Sequence, residues 1–155
     1  YALTGKNALV IRTNITGFRL NNKFPSFIEW AIMSLESGEE FQLFSDYYAS
    51  TITTRQASSI IFDLLSNGAT GCLNVACREV ISKKNFVIAF AKKNGLPLDK
   101  MTTASIRNEP SVRSESIGLD VRKAERILGY KLPNVNEVIN QLALEYIKLK
   151  KKGEM

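Results

Sequence analysis

The run Ala8-Leu9-Val10-Ile11-Arg12-Thr13 constrains the fold more than any other stretch of this sequence. It is apolar and β-branched without alternation, the pattern of a strand covered on both faces in a parallel sheet. Such a strand requires other strands beside it and helices above and below. Only one later run of comparable length, Cys72-Leu73-Asn74-Val75-Ala76, has the same character. The first strand therefore asks for more sheet than these 155 residues supply, and the expectation is a chain whose upstream part is missing. Tyr1 standing where an intact reading frame begins with Met points the same way, and no export signal is visible.

Between and after these runs, apolar residues recur at helical spacing. Phe27 to Leu35 forms one such stretch, with Ser26 as N-cap and Gly38 as stop. Arg55 to Leu65 forms a second, capped by Thr54, with Ala57, Ile60, Ile61, Leu64 and Leu65 on one face and Asn67-Gly68 after it. Ser82 caps a third helix, Lys83 to Asn94, stopped by Gly95. Phe41 to Phe44 alternates like a short strand, Tyr47 to Thr54 reads as a loop with a short extended piece, and Leu96 to Ser116 is loop-like with an extended stretch at Met101 to Ile106. A short helix, Asp120 to Leu128 with Asp120 as N-cap, precedes a final one from Val135 to about Lys151. Alternating strands and helices predict an α/β chain with parallel pairing, without a separate second domain across residues 1–155.

Composition removes several function classes. The longest apolar runs, such as Phe86 to Ala91, fall far short of the roughly 18 residues a membrane span needs, so no membrane partner is expected. The net charge of +6 could suggest nucleic acid, but Lys148, Lys150, Lys151 and Lys152 crowd one end and the remainder is nearly balanced. That end reads as a solvated helix terminus, and no nucleic-acid partner is expected. The absence of His removes the Ser-His-Asp and Cys-His triads and nearly all catalytic zinc sites, and no metal is expected. Cys72 and Cys77 read as reduced core residues, which fits a cytoplasmic chain.

Few residues carry chemistry at a telling spacing. Gly68-Ala69-Thr70-Gly71 follows a helix and precedes a strand, the reverse of the order in a dinucleotide-binding turn, and no Gly-Lys-Ser/Thr loop occurs. Glu39-Glu40 reads as an exposed turn. Tyr146 and Lys150 share a helical face, an arrangement in which an ammonium can lower a phenol pKa. With 5 Tyr and 13 Lys, however, roughly 0.4 such pairs arise by chance. No catalytic residue is assigned. Arg12, Asn14 and Arg113 are better placed. In open α/β sheets ligands bind beyond the carboxyl ends of the strands, where Thr13-Asn14 lies, and Arg113 offers a planar fork suited to a diphosphate. Equally, Asn14 could cap a turn and Arg113 could be solvated.

The order of segments adds a resemblance. Ala8-Leu9-Val10-Ile11-Arg12-Thr13-Asn14-Ile15-Thr16-Gly17-Phe18 resembles the strand and loop after the catalytic helix in the dTDP-4-dehydrorhamnose reductase-like branch of the extended short-chain dehydrogenases/reductases. Phe44-Ser45-Asp46 to Thr54 resembles that family's Asp-containing loop, and Val80-Ile81-Ser82-Lys83-Lys84-Asn85-Phe86 its Ile-Ser-Lys helix start. Arg113-Ser114, then Leu119-Asp120 and Lys123, then Gly129-Tyr130-Lys131-Leu132-Pro133, follow at the family's spacing; Thr51 and Ser114 stand where the family usually has Pro. The resemblance implies the last Rossmann strands interleaved with a small substrate-binding lobe, the N-terminal Rossmann half being absent. It implies that Thr13 and Asn14 lie near an NADP or NAD nicotinamide, and that Asn14 and Arg113 contact a nucleotide-sugar substrate. The Gly-rich turn and the catalytic Tyr-x-x-x-Lys would belong to the upstream half, so the chain alone should be inactive, in a parent that reduces a 4-keto sugar. The expected partners are the nucleotide sugar and, as a homodimer, a second copy. A related epimerase or dehydratase, or a non-catalytic subunit on the same fold, are the alternatives.

Overall fold

The computed structural model describes residues 7–21, 23–110 and 114–154. Two parallel strand pairs dominate it. In the first, β1 (Leu9–Thr13) lies beside β6 (Gly71–Val75), with Leu9 opposite Gly71 and Thr13 opposite Val75. In the second, β3 (Phe41–Phe44) lies beside β8 (Met101–Ala104). In chain order these four strands run β1, β3, β6, β8, so the loop that closes each pair contains one strand of the other. Shorter pieces complete the sheets. β2 (Ile15–Thr16) runs parallel to β5 (Ile52–Thr53). β4 (Tyr48–Ala49) pairs antiparallel with β7 (Ile81–Ser82) and parallel with β9 (Ser116–Ile117).

Among the described residues five α-helices cover these strands: α1 (Phe27–Glu36), α2 (Thr54–Ser66), α3 (Lys83–Asn94), α4 (Arg122–Leu128) and α5 (Val135–Lys152). Their ends follow from side-chain capping. Ser26 with Glu29, and Asn134 with Glu137, form reciprocal capping boxes, while Ser82 caps α3. α2 begins one residue earlier than its apolar pattern suggests, and its cap is Thr53, whose hydroxyl accepts from the Gln56 N–H. Thr54 is left free to donate to the Thr16 carbonyl at 3.2 Å. Asp120 likewise lies outside the fourth helix: Val121 occupies the cap position, and the Asp120 carboxylate accepts from the Arg122 N–H at 3.0 Å.

The main core joins Ile28 and Ile32 of α1, Ile60 and Leu64 of α2, Leu73 and Val75 of β6, Phe90 of α3 and Leu142 of α5. A second cluster, Ala31, Leu35, Leu43, Val87 and Ala91, packs α1 and α3 on the β3–β8 pair. Both cysteines are free thiols, Cys77 buried and Cys72 half-buried. Burial pushes the Cys77 thiol pKa up, so it behaves as a core side chain. The expected burial of the first strand on both faces is not met. Leu9, Val10 and Ile11 are half-buried and Arg12 is exposed, because among the described residues β6 is the strand's one partner.

Candidate functional site

β1 ends at a cleft of about 460 Å³ lined by Ile11, Arg12, Thr13 and Asn14 from one side and Ile117 and Leu119 from the other. A parallel pair places all its strand carbonyl ends on one rim, where open α/β sheets hold ligands. Asn14 is fixed there by its backbone: its carbonyl accepts from the Ile52 N–H at 3.0 Å, which starts the β2–β5 pairing. Thr13 and Asn14 are thus brought together at the rim as their spacing predicts. Arg113 lies outside the described residues, but the segment after it delivers Ile117 and Leu119 to the opposite wall.

Three buried side-chain atoms lack a hydrogen-bond partner among the described residues: Thr13 Oγ1, Asn14 Nδ2 and Thr16 Oγ1. All fall within four consecutive positions. A buried polar atom left unpaired costs about 1–3 kcal/mol, and such atoms in a folded protein commonly await a ligand or water. Their concentration at one strand end marks it as the candidate site. Spacing located Thr13 and Asn14 but not Thr16, because which side chains β2 buries depends on its pairing with β5.

The cleft's frame is built from contacts that the sequence does not announce. Arg12 lies directly opposite Asn74 across the β1–β6 pair, and its Nε donates to Asn74 Oδ1 at 2.9 Å. Asn74 Nδ2 in turn donates to the Asp120 carbonyl at 2.7 Å. Arg12 is thereby a brace between strand and loop. The Asp120 carboxylate is gripped by the Arg122 guanidinium, which lowers its pKa to about 2. The opposite wall is held by Ser50, whose hydroxyl accepts from the Leu119 N–H at 2.8 Å, and by the Glu115 carbonyl, which accepts from Tyr48 N–H at 2.8 Å. Thr51, at a position the resembled family fills with Pro, is buried beside Ser50. Asp46 takes a hydrogen bond from the Ser105 hydroxyl and one of 2.8 Å from the Ile106 N–H, which lower its pKa and tie the ends of β3 and β8 together. Its work in this chain is structural.

Two further cavities share Phe27 and Lys83 in their linings. One, of about 220 Å³, is bordered by Thr16, Gly17, Arg19, Ser26, Phe27 and Lys83. The other, of about 200 Å³, is walled by Phe27, Trp30, Leu43, Phe44 and Tyr47, and Lys83 borders it too. The Lys83 ammonium sits 4.3 Å from the centre of the Phe27 ring, and burial pushes its pKa below the ordinary lysine value. Neither Arg19 nor Lys83 forms an ion pair among the described residues.

Tyr146 and Lys150 do meet, but elsewhere. Tyr146 is buried edge-to-face on Phe90, its hydroxyl donates to Glu36 Oε1 at 2.9 Å, and Lys150 bonds both that hydroxyl and Glu36 at 2.9 Å. Burial raises the phenol pKa despite the ammonium, the reverse of what proton abstraction needs. The pair is a clasp between α5 and α1. Among the described residues no group of three or more Cys, Asp or Glu side chains could hold a metal, and no helix is long and apolar enough to cross a membrane.

No sequence family and no curated protein sequence matches the chain, whereas solved structures match it strongly by shape. A dTDP-4-dehydrorhamnose reductase from Bacillus anthracis, solved with NADP, superposes with a TM-score of 0.75 over 88% of the chain at 17% identity. The chain has the fold of about half a dTDP-4-dehydrorhamnose reductase. It covers 48% of that protein, and 47% of a hypothetical dTDP-4-dehydrorhamnose reductase from Sulfolobus tokodaii, which matches 86% of the chain with a TM-score of 0.68 and 25% identity. The Bordetella bronchiseptica enzyme WbmG, solved with NAD and UDP, matches 90% of the chain and 44% of its own length, at 23% identity and a TM-score of 0.67. The reductase fold is shared more widely, with a dTDP-glucose 4,6-dehydratase and a UDP-galactose 4-epimerase. The expected α/β architecture with parallel pairing is what the structure has.

Proposed function

We propose that this chain is the substrate-binding portion of a cytoplasmic NAD(P)-dependent nucleotide-sugar reductase that acts on a 4-keto sugar. One observation carries the reading: two residues with buried, unpaired side-chain atoms, Thr13 (Oγ1) and Asn14 (Nδ2), stand at the carboxyl end of a parallel strand and are among those that line a cleft. The reductase fold supports it, as do neighbours solved with NADP, or with NAD and UDP. Thr13 and Asn14 fit the polar edge of a nicotinamide or a sugar, since a hydroxyl and a carboxamide offer both donors and acceptors. A bound nicotinamide supplies the hydride. This chain's residues bind and orient the substrate, with Arg113 reaching its diphosphate. Tyr146 and Lys150 take no part, being bonded to Glu36.

The test is calorimetric titration of the chain with dTDP-rhamnose, the reduced form of the sugar. Saturable binding that weakens about tenfold in Asn14→Ala, which is about 1.4 kcal/mol, is the expected result. Absence of binding to the parent chain overturns the reading. The fold shared with the dehydratase and the epimerase favours one alternative, a portion of such an enzyme. Tighter binding of dTDP-glucose or UDP-galactose than of dTDP-rhamnose selects it.

A further inference from the structure

Among the described glycines, Gly118 alone lacks a positive φ, so no turn explains why the chain has no side chain there. Its surroundings do. A Cβ at this position would stand 2.7 Å from Val80 Cγ2 and 3.2 Å from Val80 Cγ1, where carbon atoms ordinarily rest about 3.5–4.0 Å apart. Two of the three staggered positions on Val80 thus face the glycine, and every rotamer leaves a methyl in one of them. Nor can the Val80 backbone retreat. Glu79 before it accepts from the Val135 N–H at 2.8 Å, and Ile81 after it is paired with Ala49. Gly118 is there for the close approach of two segments.

That approach bears on the cleft. Gly118 lies between Ile117 and Leu119, which form the apolar wall opposite Thr13 and Asn14. Ala49 pairs with Ile81 on one side and with Ile117 on the other, and one step further along both registers Ser50 falls between Val80 and Gly118. Ser50 is fully buried although Val80 and Gly118 are exposed, and its hydroxyl accepts from the Leu119 N–H at 2.8 Å. Val80 closing on Gly118 roofs that bond, and a hydrogen bond kept from water is the stronger for it. We propose that Gly118 is a positioning residue: by carrying no side chain it lets Val80 seal the Ser50–Leu119 bond, and that bond fixes the apolar wall at the distance from Thr13 and Asn14 at which a sugar fits between them. This deepens the nucleotide-sugar reading and rests on it. The width of the cleft is then set by the combined size of the side chains at 80 and 118, two residues outside its lining.

The chain and its variants are titrated calorimetrically with dTDP-rhamnose and with dTDP, which lacks the sugar. Gly118→Ala is expected to bind dTDP-rhamnose about tenfold more weakly and dTDP as the parent does. Adding Val80→Ala should bring dTDP-rhamnose binding back to within about twofold of the parent, because it makes room for the new methyl. The Leu119 amide, followed by NMR hydrogen exchange, should exchange faster in Gly118→Ala and at the parent rate in the double variant. Parent-like binding of dTDP-rhamnose by Gly118→Ala, an equal loss for both ligands, or no recovery in the double variant overturns the inference and leaves the nucleotide-sugar reading standing. If Gly118→Ala fails to fold by circular dichroism, the double variant carries the test, upholding the inference if it folds and binds and overturning it if it does not. Absence of dTDP-rhamnose binding to the parent chain overturns the nucleotide-sugar reading, and the seal is then judged on the Leu119 amide alone: an unchanged exchange rate in Gly118→Ala overturns it as well.

Discussion

Glu29 shows how one side chain can organise a loop. It closes the capping box of α1 through Ser26 and reaches back to the N–H groups of Arg19 and Leu20. Leu20 adopts a positive φ of 55°, a conformation that costs a non-glycine residue about 1–2 kcal/mol, and Glu29 holds it there. Burial pushes the carboxyl pKa up, but the hydrogen bonds from Ser26, Leu20 and Arg19 outweigh it and the net shift is downward. Glu29→Gln is therefore expected to lower stability by about 2–3 kcal/mol in urea melts at neutral pH. A depressed carboxyl contributes stability above its unfolded pKa, near 4.5, and loses it as the pH falls through the folded value. The gap between parent and Glu29→Gln should accordingly narrow in melts at progressively acid pH. At this scale the sequence was legible where function depends on one segment. Thr13-Asn14 could be found because an apolar strand runs straight into them. Gly118 could not, because Val80 is brought against it only by the pairing of β4 with both β7 and β9.

Helices were legible almost to the residue, since capping is local chemistry: Ser26, Ser82 and Gly95 stand where the pattern puts them. The two displaced caps have local reasons as well. At the start of α2 two adjacent threonines compete, and Thr53 wins because Thr54 is drawn to the Thr16 carbonyl. Asp120 fails to cap α4 because Arg122 takes its carboxylate. Asn134 has no such competitor, so Asn134→Ala should cost about 1 kcal/mol, read as a lowered thermal midpoint, by removing the cap of the longest helix. Strand existence could be read from the apolar runs, but strand partners could not. No residue in Phe41–Phe44 specifies Met101–Ala104 as its neighbour, and the Arg12 to Asn74 bond depends wholly on that kind of register. The first strand's half-burial has the same origin, since a continuous apolar run states a demand for cover and not its supply.

Across the whole molecule the two principal strand pairs share one cooperative structure, because helix α1 contributes to both clusters: Ile28 and Ile32 to one, Ala31 and Leu35 to the other. A cavity made on one side should then be felt on the other. Leu73→Ala, in β6, is expected to cost about 2–5 kcal/mol. It should shift the fluorescence transition of Trp30, which packs on Phe41 of the other pair, to the same midpoint as the circular-dichroism transition. Two separate midpoints would show that the pairs unfold independently. The alternation of β1, β3, β6 and β8 along the chain also bears on how the molecule is made. Each pair must close a loop of about sixty residues, which is entropically expensive before any contact rewards it. Because each loop threads through the other's span, neither pair can be finished by an independent block of sequence. On a ribosome, β1 meets β6, its partner among the described residues, only after some sixty further residues have emerged, and β3 likewise meets β8, so these two pairings close late.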